Sequence, residues 1–216
     1  MMKKVKLLLL GVTMIVAWSC STTMNYTWTN EGYQGRKYDK ILVVVEAKTP
    51  QGRINSESAI VDRLQAEGIT ASNSIQVFPF NENNHELTEE EIENRIQSGG
   101  YDGVLITSLV DASSRDVREG GGTYMQPVSY RYGRYIRTGY VHLQEPEYYR
   151  QEKTYVMETR FFDVAEKATK ESVVWSGQSE LTDPSSVDSA AKSYSKKLVK
   201  TLLDSGIIKL YMFNNK

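Results

Sequence analysis

The sequence predicts an α/β (α+β) fold: a single mixed sheet with two strand-helix units, an antiparallel strand pair and a C-terminal helix. Three observations carry this. Lys40-Ile41-Leu42-Val43-Val44-Val45 is a β-branched run of strand length with no polar alternation, the pattern of a central strand covered on both faces. Between this run and Val104-Leu105-Ile106 lie stretches of helical periodicity closed by glycine, as strand-helix units require. Late in the chain, two further apolar runs are joined by Glu166-Lys167-Ala168-Thr169-Lys170, short enough only for an antiparallel pair. At 216 residues, 40% of them apolar, the chain can bury one core, and one domain is expected.

The N-terminus has the layout of an export signal, residues 1–19. Lys3, Lys4 and Lys6 precede an apolar run over residues 7–17, followed by small residues. Eleven residues of helix span about 16 Å, against about 30 Å for a hydrocarbon core, so the run is too short for a stable crossing and cleavage is expected. Ala17-Trp18-Ser19-Cys20 looks like a lipobox, with lipid attached at Cys20. Cys20 is the only cysteine, so no intramolecular disulfide can form, and lipidation would account for that lone thiol. Loss of residues 1–19 leaves 23 basic against 27 acidic residues, a mildly acidic mature chain.

Residues 20–37 are small and polar and read as a lipidated tether. Met24, Tyr26 and Trp28 nevertheless alternate as in a half-buried strand, which leaves docking as an edge strand open. The α/β domain is expected over residues 38–210. After its first strand, a helix is predicted from about 56 to 67 on the spacing of Ile60, Val61 and Leu64, stopped at Gly68. Residues 69–80 read as a second strand, with Ile75, Val77 and Pro79 on one face. Thr88 and Glu91 then form a capping box, with Leu87 and Ile92 spaced as a hydrophobic staple and Ile92 and Ile96 toward the sheet. Gly99-Gly100 ends that helix, and the strand from Val104 continues to Leu109 and Val110.

The antiparallel pair is expected over about 154–164 and 172–180. The last helix takes Asp183 as its cap and Pro184 at its first position, with Val187, Ala190, Ala191, Tyr194, Leu198 and Leu202 on one stripe and a stop near Gly206. Lys192, Lys196, Lys197 and Lys200 fall mostly off that stripe, as a solvated face.

The composition excludes more chemistry than it suggests. With 26 basic and 27 acidic residues there is no global field for nucleic acid. No nucleophile elbow, phosphate loop, paired-histidine motif or spaced Cys/His cluster occurs, and Gly120-Gly121-Gly122 lacks the lysine a phosphate loop needs. His85 and His142 stand far apart, and residues 81–86 lack the length and glycine of a calcium loop; no metal and no cofactor are expected. One stretch stands out, a Tyr/Arg-rich insert at about 120–150. Its Tyr130, Arg131, Tyr132, Arg134, Tyr135, Arg137 and Tyr140 offer large contact area and forked donors, which suits partner binding as well as simple cover of a sheet face.

From residues 40–110 and again 156–203, the chain resembles a group of small bacterial lipoproteins. Asp102-Gly103-Val104-Leu105-Ile106-Thr107, Asp163 and Trp175-Ser176-Gly177 carry the likeness. The curli-secretion lipoprotein and the outer-membrane activators of penicillin-binding proteins have this type of fold. The resemblance implies an assembly or partner-binding role; it does not imply chemistry. By the sorting pattern of enteric lipoproteins, Ser21 after the cysteine implies delivery to the outer membrane, and the absence of an acidic cluster at residues 21–25 implies its periplasmic face. A curli-type pore hairpin is disfavoured, since Gly133, Arg134, Arg137 and Gly139 interrupt any lipid-facing row. The function expected is a lipid-anchored envelope module, not an enzyme, that binds or regulates an envelope protein or glycan. A peptidoglycan-binding protein or an envelope hydrolase is the alternative, and the oligomeric state is left open.

Overall fold

A computed structural model describes residues 21–79, 87–132, 135–166 and 170–210 of the chain, with 128–132 and 135–139 described by their backbone. In chain order the elements are β1 (Ser21–Thr29), β2 (Ile41–Glu46), α1 (Pro50–Ala66), β3 (Ala71–Asn73), α2 (Glu89–Ser98), β4 (Gly103–Glu119), β5 (Thr123–Tyr132), β6 (Tyr135–Gln144), β7 (Tyr148–Asp163), β8 (Val173–Thr182) and α3 (Val187–Asp204). Six strands form one mixed sheet in the order β1-β8-β7-β4-β2-β3, and β5 and β6 form a separate two-stranded ribbon. β2 pairs parallel with both β3 and β4, and the rest of the large sheet is antiparallel. This is the α/β class expected from the sequence.

The valine run folds as expected because both faces of β2 are covered. Ile41 and Val43 join the larger core with Leu64 of α1, Phe161, Trp175 and Leu198 of α3. Leu42 faces the opposite way and packs with Ile96 of α2, Tyr101 and Val104. All of Ile41, Leu42 and Val43 are excluded from solvent. Ser21–Thr29 is an edge strand antiparallel to β8, with Thr22 opposite Leu181 and Trp28 opposite Ser176, but the expected alternation is broken: a bulge between Met24 and Tyr26 leaves Met24 against the core and turns Tyr26 and Trp28 to the other side. The described chain is therefore docked from Ser21 onward.

Four local expectations are corrected. α1 begins at Pro50, earlier than 56, because the Thr49 hydroxyl accepts from the Gly52 N–H at 3.1 Å and Pro50 occupies the first turn. The strand expected over 69–80 is cut to Ala71–Asn73 and followed by a single 3₁₀ turn, Ser74–Gln76. There the Ser74 N–H donates to Glu57 Oε2 at 2.9 Å, which takes it out of the ladder. In α2, whose capping box is present, Ile96 is buried but Ile92 is exposed. The cap of α3 is Ser186, boxed with Ser189, while Asp183 has φ +45° and serves β7 instead; Val187, at the head of the expected stripe, is exposed.

The larger departure lies in β4 and β7, which run far past the core. β8 accompanies β7 as far as Thr154, and from Ser114 opposite Lys153 to Glu119 opposite Tyr148 β4 and β7 continue as a two-stranded stem, about 20 Å long at about 3.3 Å per residue. The ten-residue strands β5 and β6 extend the chain further in the same excursion. Most of the stem is exposed.

Candidate functional site

The residues that carry the lipoprotein likeness are architectural. Both carboxylate oxygens of Asp102 accept backbone N–H groups at the start of β2, from Asp39 and Lys40 at 2.9 Å each, and Arg36 donates to the same carboxylate at 2.7 Å. Asp163 accepts from the Tyr33 and Tyr38 hydroxyls at 3.2 and 3.3 Å. A side chain at Gly103 would meet Tyr38 at 2.9 Å and Phe161 at 3.0 Å, and one at Gly177 would meet the Trp175 ring at 2.5 Å, so both glycines exist to let aromatic rings close over the sheet.

The hydroxyls of Tyr33 and Tyr38 also bond each other. Burial pushes Tyr33 up to about 12 and, with the hydrogen bond to Tyr33, raises Tyr38 further. A native pKa above the unfolded value of about 10 gives stability that is complete below that pH and is lost as pH rises toward and through the native value. Urea unfolding between pH 9 and 12 is expected to show this decline, and Tyr33→Phe with Tyr38→Phe to flatten it. An unchanged slope in the double variant would refute the assignment.

The arm is built in two sections. In the stem, Arg115 donates to Glu152 at 2.7 Å, Arg150 to Glu119 at 2.8 Å, Arg118 to Glu147 and Arg150 also to Asp183. Arg150 holds the Glu119 carboxyl below the usual range; Asp183 is lowered first by the Lys153 N–H and then by Arg150. Cross-strand pairs of this kind suit a ribbon standing in water. Beyond it the ladder stops for residues 120–122 and 145–147, where the Glu145 N–H donates to the Gly122 carbonyl at 2.8 Å. Gly120 has φ +80°, and a side chain there would strike the Pro146 carbonyl at 2.3 Å, so this joint requires glycine.

The distal ribbon differs from the stem in charge: residues 120–144 contain Arg131, Arg134 and Arg137 and no acidic residue. The register pairs Tyr130 with Arg137 and Tyr132 with Tyr135, which puts positions 130, 132, 135 and 137 on one face, and 131 and 140 on the other. Thus the backbone separates the expected site into two faces. Tyr140 is 67% exposed; the side chains at 130–132, 135 and 137, all of Arg134, and Cys20 and His85 lie outside the described residues.

At the root of the arm, where β2 ends, lies an apolar cavity of about 1220 Å³. Val45, Ile60, Ile106, Met157, Leu181 and Tyr194 are among its walls. The carboxyl ends of parallel strands are where open α/β sheets place ligands. Sequence reasoning missed it because its walls come from segments far apart in the chain. Leu109, Val110 and Val187, which the sequence pattern assigns to a buried strand and a buried helix stripe, are all exposed around this end. Among the described residues there is no group of three or more His, Cys, Asp or Glu side chains placed to hold a metal ion.

No protein-family model matches the chain, and no curated protein matches it in sequence. Among solved structures, it is similar to the PelC dodecamer from Paraburkholderia phytofirmans. Two crystal forms of that protein, one a point variant, align at 15% and 17% identity over 88% and 82% of this chain and 99% and 95% of theirs, with TM-scores of 0.44 and 0.43. It is also similar to the lipoprotein GNA1162 from Neisseria meningitidis, at 16% identity over 77% of this chain and 99% of that one, with a TM-score of 0.39.

Proposed function

We propose that the chain is a lipid-anchored module of the cell envelope, tied to the outer membrane at its periplasmic face through Cys20, which holds or regulates a partner with its projecting arm and performs no chemistry itself. The observation that carries this reading is the arm. A two-stranded ribbon alone is marginally stable in water and presents unpaired strand edges, so an extended one needs a partner surface to justify its upkeep. The salt-laced stem holds an acid-free, tyrosine-rich hairpin away from the body, which suits an acidic protein surface or a glycan. The anchor reading draws its support from the export-signal layout, the single cysteine and the start of β1 directly after it.

Excising residues 123–144 across the joint is expected to leave the melting temperature of the body unchanged and to remove partner crosslinks recovered from intact envelopes. Equal recovery with and without the hairpin would rule out the arm as the contact element. A peptidoglycan-binding reading draws separately on the exposed Tyr26 and Trp28, which stand on one face of β1 beside Gln178 and Ser176. Sedimentation of the soluble chain with peptidoglycan, lost on Trp28→Ala and kept on hairpin deletion, would favour it; release of labelled fragments would favour a hydrolase.

A further inference from the structure

We propose that the cavity at the root of the arm holds one acyl chain of the lipid carried by Cys20 of the same molecule; this rests on the anchor reading above. Three observations lead from the N-terminus to the cavity. The first is position. Ser21 lies opposite Thr182 and Thr22 opposite Leu181, and Leu181 lies opposite Tyr155 on the next strand; Leu181 and Tyr155 are both cavity walls. Thr22, aligned with that lining, lies two residues after Cys20 in the sequence, a separation the chain spans by at most about 7 Å.

The second is direction. The Thr22 hydroxyl bonds the Ser193 hydroxyl of α3 at 2.6 Å, which fixes Thr22 on the helical side of the sheet. Pro184, Ser186 and Val187, just before and at the start of that same helix, line the cavity. The third is chemistry. The walls are mostly aliphatic and aromatic side chains, with Glu46, Lys48 and Arg53 among the lining near the end of β2; Thr107 bonds Thr159 at 2.8 Å, Thr159 bonds Tyr194, and Arg53 is held by Glu57 at 2.9 Å. Such a space offers an acyl chain contact without asking it for hydrogen bonds, and its volume exceeds that of most small-ligand pockets. The exposed Leu109 and Val187, both in the lining, and Val110 beside them extend the apolar surface outward.

The experiment has two arms, both on the full chain. In the first, an unlipidated Cys20→Ser form is titrated with cis-parinaric acid. It is expected to bind one equivalent, and Ala190→Trp, which fills the cavity from α3, to weaken binding by about tenfold or more, with an unchanged circular dichroism spectrum. Should that variant fail to fold, Met157→Trp fills the space from the sheet. No binding by the folded Cys20→Ser chain overturns the proposal. In the second arm, cells are fed a diazirine-bearing palmitate analogue, and the protein is irradiated in its membrane and digested. Crosslinks from Cys20 to peptides containing Tyr155, Met157 or Tyr194 are expected. A chain labelled at Cys20 that crosslinks only to membrane lipid overturns the cavity proposal and leaves the anchor standing, whereas a chain without label at Cys20 overturns both.

Discussion

Glu57→Ala is expected to lower the unfolding free energy by on the order of 3–5 kcal/mol, the cost of breaking a buried ion pair by removing one member. Glu57 is shut off from solvent at the centre of α1. One oxygen accepts from the Val45 N–H at 3.1 Å and from Arg53 Nε at 2.9 Å, and also from the Ser74 hydroxyl; the other accepts from the Ser74 N–H at 2.9 Å. Alanine therefore leaves backbone donors of β2 and of the 3₁₀ turn without their acceptor, and takes the carboxylate from a guanidinium that also donates to the Phe78 carbonyl at 3.1 Å. Glu57→Gln is also expected to destabilise, because every neighbour on the carboxylate is a donor and one end of the amide would face them with N–H groups. Urea unfolding at constant m-value measures both. A loss below about 1 kcal/mol for alanine would show that the cluster is replaceable.

Trp175→Ala is expected to cost a similar amount, about 3–5 kcal/mol, by opening a cavity in the larger core. Trp175 is fully buried, sits opposite Phe161 on β7 and lies against Gly177. The informative comparison is Trp175→Phe. Among the described residues the buried indole Nε1 has no hydrogen-bond partner, so phenylalanine loses volume but also removes an unsatisfied donor. The loss for Phe is expected to be less than half that for Ala. Equal losses would mean that the indole N–H has a partner in solution.

How much of this was legible depended on how local the determining contacts were. The Thr88–Glu91 box could be read because donor and acceptor lie within one helical turn, and β2 because a valine run announces burial without reference to any neighbour. The strand expected after α1 failed for the opposite reason, since a carboxylate on α1 captures Ser74 and the sequence shows no link between Glu57 and residue 74. Asp183 looked like a cap by type and position, yet Arg150 and the Lys153 N–H, far away in sequence, claim its carboxylate. The stem was hidden altogether: Ser114 to Glu119 is a poor strand by propensity and becomes one through its ladder with β7. At the candidate site, composition singled out the Tyr/Arg insert, but which tyrosines share a face follows from register, and the cavity from the meeting of remote segments.

The docking of β1 from its first described residue also has a mechanical side. Hydrogen bonds between antiparallel strands stand perpendicular to the chain. Tension applied at Ser21 along the strand would load the rungs between β1 and β8 in shear, side by side, whereas a sideways pull would peel them off in sequence. If the N-terminus is moored to a bilayer and the arm is drawn along by a cargo, the mooring is strongest for pulls in line with β1, and the direction of load decides whether the joint holds or unzips.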